Sequence, residues 1–133
     1  IKSERIEYKV LELLKKYNIT NYFFLDSSFP MLYKLSTEGE KNSAIRFSEF
    51  ESIETILDMK GKINWVWVDC FTKNPLTPTT YKLLKDAGFK LCFVSPELQN
   101  QPNKLELYRD YFIENNIKLD MICTKVYNID KWI

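Results

Sequence analysis

The chain has 133 residues, 45% of them hydrophobic and 15% aromatic, which places it with folded single domains and away from disordered chains. Lysine and arginine number 19 against 18 aspartates and glutamates, so the net charge is +1 and no global field draws nucleic acid or an anionic membrane. No apolar run reaches the roughly 18 residues of a membrane span, and the complete absence of histidine removes the commonest general base and transition-metal ligand.

Ile1 opens directly into a helix-like pattern, as expected at the edge of a fragment or processed chain and not of a signal peptide. Ser3 is placed to cap a first helix in which Ile6, Val10, Leu13, Leu14 and Tyr17 recur at helical spacing. Lys15 and Lys16 suit its C-terminal dipole, and Asn18 ends it. Tyr22-Phe23-Phe24-Leu25 predicts a short strand over 22–26 that closes in Asp26. Ser27-Ser28 and an early Pro30 begin the next helix, which Gly39 ends. A strand over 43–47 holds Ala44-Ile45-Arg46-Phe47. Ser48 with Glu51 fits a capping box, predicting a helix from about Phe50 to Met59 with Ile53, Ile56 and Leu57 inward.

The strand over 63–69 is the densest in β-formers: Ile63, Trp65, Val66, Trp67 and Val68, then Asp69. Thr77-Pro78 opens the helix after it, and Gly88 ends that helix. A fourth strand spans 90–95, Asn103 with Glu106 opens a helix through Phe112, and a fifth strand covers 119–124 before a less regular tail. Strand starts fall roughly 20 to 30 residues apart, the spacing of repeated βα units, because parallel neighbours need a crossover of a dozen or more residues. The expectation is one α/β unit over 1–133 with five parallel strands. A doubly wound five-stranded sheet would be complete in itself, whereas a (β/α)8 barrel needs three more strands and about 250 residues. Cys70, Cys92 and Cys123 are widely spaced and lie on apolar runs, as buried free thiols of a reducing, cytoplasmic compartment do; without histidine, a zinc site is not expected.

Strand alternation puts Trp65, Trp67 and Asp69 on one face, Ala44, Arg46 and Ser48 on another such row, and likewise Phe93, Ser95 and Glu97, and Met121, Cys123 and Lys125. Ligands in α/β folds sit at the carboxyl ends of strands, which makes Arg46, Trp67, Asp69, Glu97 and Lys125 the candidate site, with Asp26 alongside. Arg46 within an apolar strand needs either a structural partner, Asp69, Asp26 or Glu49, or an anionic ligand. Asp69 could bind a divalent metal or a substrate, or cap the backbone after its strand. Trp67 could stack on a ligand or fill the core, and Lys125 could meet a phosphate or only solvent. Ser27, Ser28 and Ser48 have no histidine to activate them and fit helix caps better.

Three stretches carry a resemblance. NYFFLDSSF (Asn21 to Phe29), LTPTTYKLLKDAGFKLCFVS (Leu76 to Ser95) and IKLDMICTK (Ile117 to Lys125) are similar to the C-terminal part of the glycerophosphodiester phosphodiesterase-like family, barrels related to phosphatidylinositol-specific phospholipase C. Lys125 stands where the family usually has aspartate, and Cys92 to Pro96 departs from its Trp-Thr-Val-Asn. The resemblance implies the last five strands of a (β/α)8 barrel, a phosphorylated small molecule or phosphodiester as ligand, and no nucleic acid. It further implies a divalent cation, Mg or Ca, bound mainly by N-terminal strands that this chain lacks. The family's His-Arg pair, Glu-x-Asp and third-strand glutamate are likewise absent. The expected function is therefore a substrate-side wall formed by Arg46, Trp67, Asp69, Glu97 and Lys125, inactive alone and completed by the N-terminal half of the barrel. The alternative is a self-contained α/β binding or interaction module.

Overall fold

A computed structural model describes residues 6–133 of the chain. Four parallel strands, β1 (Ala44–Phe47), β2 (Trp65–Val68), β3 (Lys90–Val94) and β4 (Met121–Cys123), lie side by side in chain order. The helices are α1 (Glu7–Lys16), α2 (Phe29–Thr37), α3 (Ile53–Leu57), α4 (Pro78–Asp86) and α5 (Leu105–Glu114), of which α3, α4 and α5 form the crossovers. The order does not reverse among the described residues, so the switch point of a doubly wound sheet is not found there. A run in one direction is a unit common to barrels and to one half of a doubly wound sheet.

Right-handed crossovers that advance in one direction lay their helices on one side of a sheet. The core follows that rule. Ile45, Phe47, Val66, Val68, Leu91 and Phe93 pack with Leu32 of α2, Ile56 of α3, Leu84 of α4, and Tyr108 and Phe112 of α5. The opposite face carries the row Arg46, Trp67, Cys92 and Met121, fixed by the strand register. There Arg46 and Met121 are exposed and Trp65 and Trp67 half-buried, whereas Ala44, Cys92 and Val94 are buried. Phe23 gives the two tryptophans partial cover, with ring centroids 5.0 and 6.3 Å away.

Local chemistry explains where the expected elements appear and where they do not. The strand expected over 22–26 is reduced to one parallel bridge, Phe24 to Ser43, held by Phe24 N–H to Asn42 O (2.8 Å) and Ala44 N–H to Phe24 O (2.9 Å). Asp26, at φ 59°, enters the left-handed region and turns the chain out of the sheet two residues on. The other four expected strands are present, with ends shifted by about two residues or fewer. Helix α4 starts as expected: the Thr77 hydroxyl accepts the Thr80 N–H (3.2 Å), and the Thr80 hydroxyl accepts the Thr77 N–H (2.8 Å). Gly88, at φ 88°, supplies the left-handed residue beyond its end.

Helix α3 begins later than Phe50. Glu51 does meet Ser48, accepting its N–H (2.9 Å) and its hydroxyl, but this closes a loop, and Ser52 is the cap, accepting the Glu54 N–H at 3.2 Å. A 3-10 turn, Pro102–Lys104, precedes α5 and delays it to Leu105. In α1 only Leu14 of the residues expected inward is buried; Leu13 and Tyr17 are exposed, because the helix meets the rest of the chain on a narrow side. Ser3 lies outside the described residues. The tail, a 3-10 segment at Val126–Lys131, returns Trp132 to the core. Its ring lies 5.9 Å from Phe93, and its indole N–H donates to Ser95 Oγ at 3.0 Å. Among the described residues no helix is long and apolar enough to cross a membrane.

Candidate functional site

All four strands point the same way, so their carboxyl ends gather at one side of the domain. Asp69, directly after β2, is the buried acid there. Its Oδ1 accepts the Gln99 side-chain amide (2.7 Å) and the Cys70 N–H (3.1 Å). Burial pushes its carboxyl above the usual range, against the opposing pull of Gln99, the Cys70 N–H, the Arg46 charge and Trp67. Asp69 thus caps the backbone after its strand, and it also faces Arg46 and Trp67.

Arg46 departs from expectation. Its side chain is 49% exposed rather than buried, on the sheet face turned away from the main core cluster. Its partner is Glu51 (Nε to Oε1, 2.7 Å), not Asp69, Asp26 or Glu49. The guanidinium carbon also lies 5.4 Å from the centroid of the Phe71 ring. A cleft of about 400 Å³ opens beside it where the Phe24 bridge ends, walled by Asp26, Ser27, Phe29, Glu51 and Thr55. Trp67 follows Arg46 in the same register row, half-buried and next to Asp69 in sequence alternation.

Glu97 and Lys125 fall elsewhere. Phe93 belongs to the helix-covered core, so the row Phe93-Ser95-Glu97 leads away from the open face that carries Trp67. Glu97 closes the ends of β3 and β4 instead, accepting from the Ser95 hydroxyl, the Thr124 hydroxyl and the Lys125 N–H (3.2 Å). Burial raises its carboxyl, but these donors together outweigh that and hold it below the usual range. The Lys125 side chain is exposed. The structure therefore brings Arg46, Trp67 and Asp69 together and assigns Glu97 to strand-end capping.

Several contacts around the site were invisible in the sequence. Gln99 and Gln101 lie on the loop after β3, and Gln101 Nε2 holds the carbonyls of Cys70 (3.0 Å) and Phe71 (2.8 Å). Glu49 accepts the Thr72 N–H and the Thr72 hydroxyl (2.7 Å), tying the loop after β1 to the loop after β2. No spacing rule signals contacts some 30 residues apart between loops. Glu51 carried a signal, the capping-box spacing to Ser48, but its ion pair with Arg46 did not follow from it.

No family model, no curated protein and no solved structure matches the chain. Its chemistry therefore rests on these residues. Among the described residues no group of three His, Cys, Asp or Glu side chains could hold a metal ion. Cys70 and Cys92 are buried free thiols, both pushed up to about 12 by burial, and they stay protonated at neutral pH; Cys123 is half-buried. The site brings together one guanidinium, one buried carboxylate and an indole on adjacent strand ends.

Proposed function

We propose that the chain supplies the substrate-side wall of a βα-barrel-like assembly of the phosphodiesterase type, and that Arg46, Trp67 and Asp69 contact a phosphorylated small molecule. The observation that carries this reading is their juxtaposition at the carboxyl ends of two neighbouring parallel strands, on the face turned away from the main core cluster. All-parallel sheets are normally covered on both faces, so the exposure of Arg46 and Met121 and the partial exposure of Trp65 and Trp67 support a larger assembly that closes over this part of the sheet. The outer edges agree with this. Residues 23–25 touch β1 through a single bridge, and no strand lies beyond β4 among the described residues. The same observations weigh against a self-contained module, which would protect its edges. Further parallel strands, the N-terminal half of such a barrel, are the implied partner.

Calorimetric titration with glycerol phosphate tests the proposal. Saturable binding is expected, weakened about tenfold or more by Arg46→Ala, as loss of a charge-assisted contact entails. Absence of binding, or binding indifferent to Arg46→Ala, overturns it.

A further inference from the structure

Phe50, on the loop between β1 and α3, is 73% exposed although it is one of the larger apolar side chains of the domain. Its ring lies 6.1 Å from that of Phe71, inclined at 39°, and Phe71 in turn lies under the Arg46 guanidinium, 5.4 Å from its centroid. The two rings come from different loops, yet neither loop is loose. Glu49, the neighbour of Phe50, accepts both the N–H and the hydroxyl of Thr72, the neighbour of Phe71. The Phe50 N–H donates to Ser48 Oγ (3.1 Å), and Gln101 holds the Phe71 carbonyl. Lys104 Nζ, donating to the Thr72 carbonyl at 2.9 Å, adds a second cation beside the same loop. An exposed, fixed aromatic ladder that leads from a guanidinium into solvent is complementary to a ligand with an anionic group joined to a planar ring.

We infer that the phosphorylated ligand of this site carries a planar aromatic base, as a nucleoside monophosphate does, with the phosphate at Arg46 and the base on the Phe50–Phe71 ladder. This rests on the phosphate-binding role proposed above and adds the class of the ligand. Stacking of a base on an aromatic ring is sequence-tolerant and raises affinity on the order of tenfold or more.

Parallel calorimetric titrations of the whole chain with adenosine monophosphate and ribose phosphate test it. The nucleotide is expected to bind about tenfold or more tightly than the sugar phosphate. Phe50→Ala should erase that advantage and leave ribose phosphate binding unchanged, and Phe50→Trp should restore it. Phe50 is too exposed for the fold to depend on it, so the variants remain informative. Equal affinity for both ligands, or an advantage that survives Phe50→Ala, overturns the inference while Arg46-dependent binding of ribose phosphate leaves the phosphate role standing. If neither ligand binds, the phosphate role fails and this inference fails with it.

Discussion

The two faces of the sheet meet in the same three strands and end in different surroundings. Ile45, Val66 and Leu91 are one residue on from Ala44, Trp65 and Lys90, each trio aligned by the register. The first trio is sealed under helices at 6% exposure or less. In the second, Ala44 is buried too, but Trp65 is half-buried, and Lys90 is exposed, with its ammonium 5.4 Å from the Trp65 ring centroid. Tryptophan therefore does not mark the covered face here. Aliphatic residues together with Phe47 and Phe93 do the packing, and the tryptophans stand half-buried on the other side.

Stability should report this asymmetry directly. Phe93 is fully buried, with ring centroids of Phe112, Trp132 and Tyr108 at 4.8, 5.9 and 6.2 Å. Phe93→Ala should lower the unfolding free energy by about 3–5 kcal/mol in urea titration, the usual cost of emptying an aromatic core site. A loss below about 1 kcal/mol would mean that the helix side is not the packed core. Trp67→Ala, on the open face, should cost only about 1–2 kcal/mol, since the indole is half-buried and its removal opens no enclosed cavity. Equal costs for the two substitutions would erase the distinction between the faces. A larger cost for Trp67→Ala in a longer polypeptide than in this chain would sharpen it, by locating whatever closes over the tryptophans.

Legibility in the sequence tracks the range of the interactions. Thr77, Pro78 and Gly88 act within a few residues of themselves, and α4 lies where they put it. The four strands were legible from runs of β-formers, and their parallel pairing from the spacing between them. The face that each strand turns to the helices was not, because Trp65 and Val66 are both apolar and only tertiary contacts separate them. Asp26 illustrates a different failure. An aspartate after an apolar run signals a strand end, but its left-handed φ, which leaves only the Phe24 bridge, depends on the turn into α2. In the site, Arg46, Trp67 and Asp69 were readable from alternation, whereas Gln99 and Glu49, which hold the loops around them, act across about 20 to 30 residues with no local pattern.

The smallest effect expected is also the one that separates the two acids at the strand ends. Burial raises the Asp69 carboxyl above its ordinary value of 3.8, so the folded chain holds that proton more tightly than the unfolded chain does. Stability from this group is complete below 3.8 and is lost as pH rises through the raised value. Glu97 has the opposite sign. Its donors hold it below 4.5, so it stabilises the fold above that value, and the contribution is lost as pH falls through the lowered one. Urea unfolding between about pH 3 and pH 7 should therefore show Asp69→Asn gaining on the parent chain as pH rises and Glu97→Gln losing ground. Asparagine still accepts from Gln99 and Cys70 through its carbonyl oxygen, so the Asp69 variant isolates the charge. Should both variants shift in the same direction, burial would not dominate at Asp69, and its donors would hold its carboxylate ionised as those of Glu97 do.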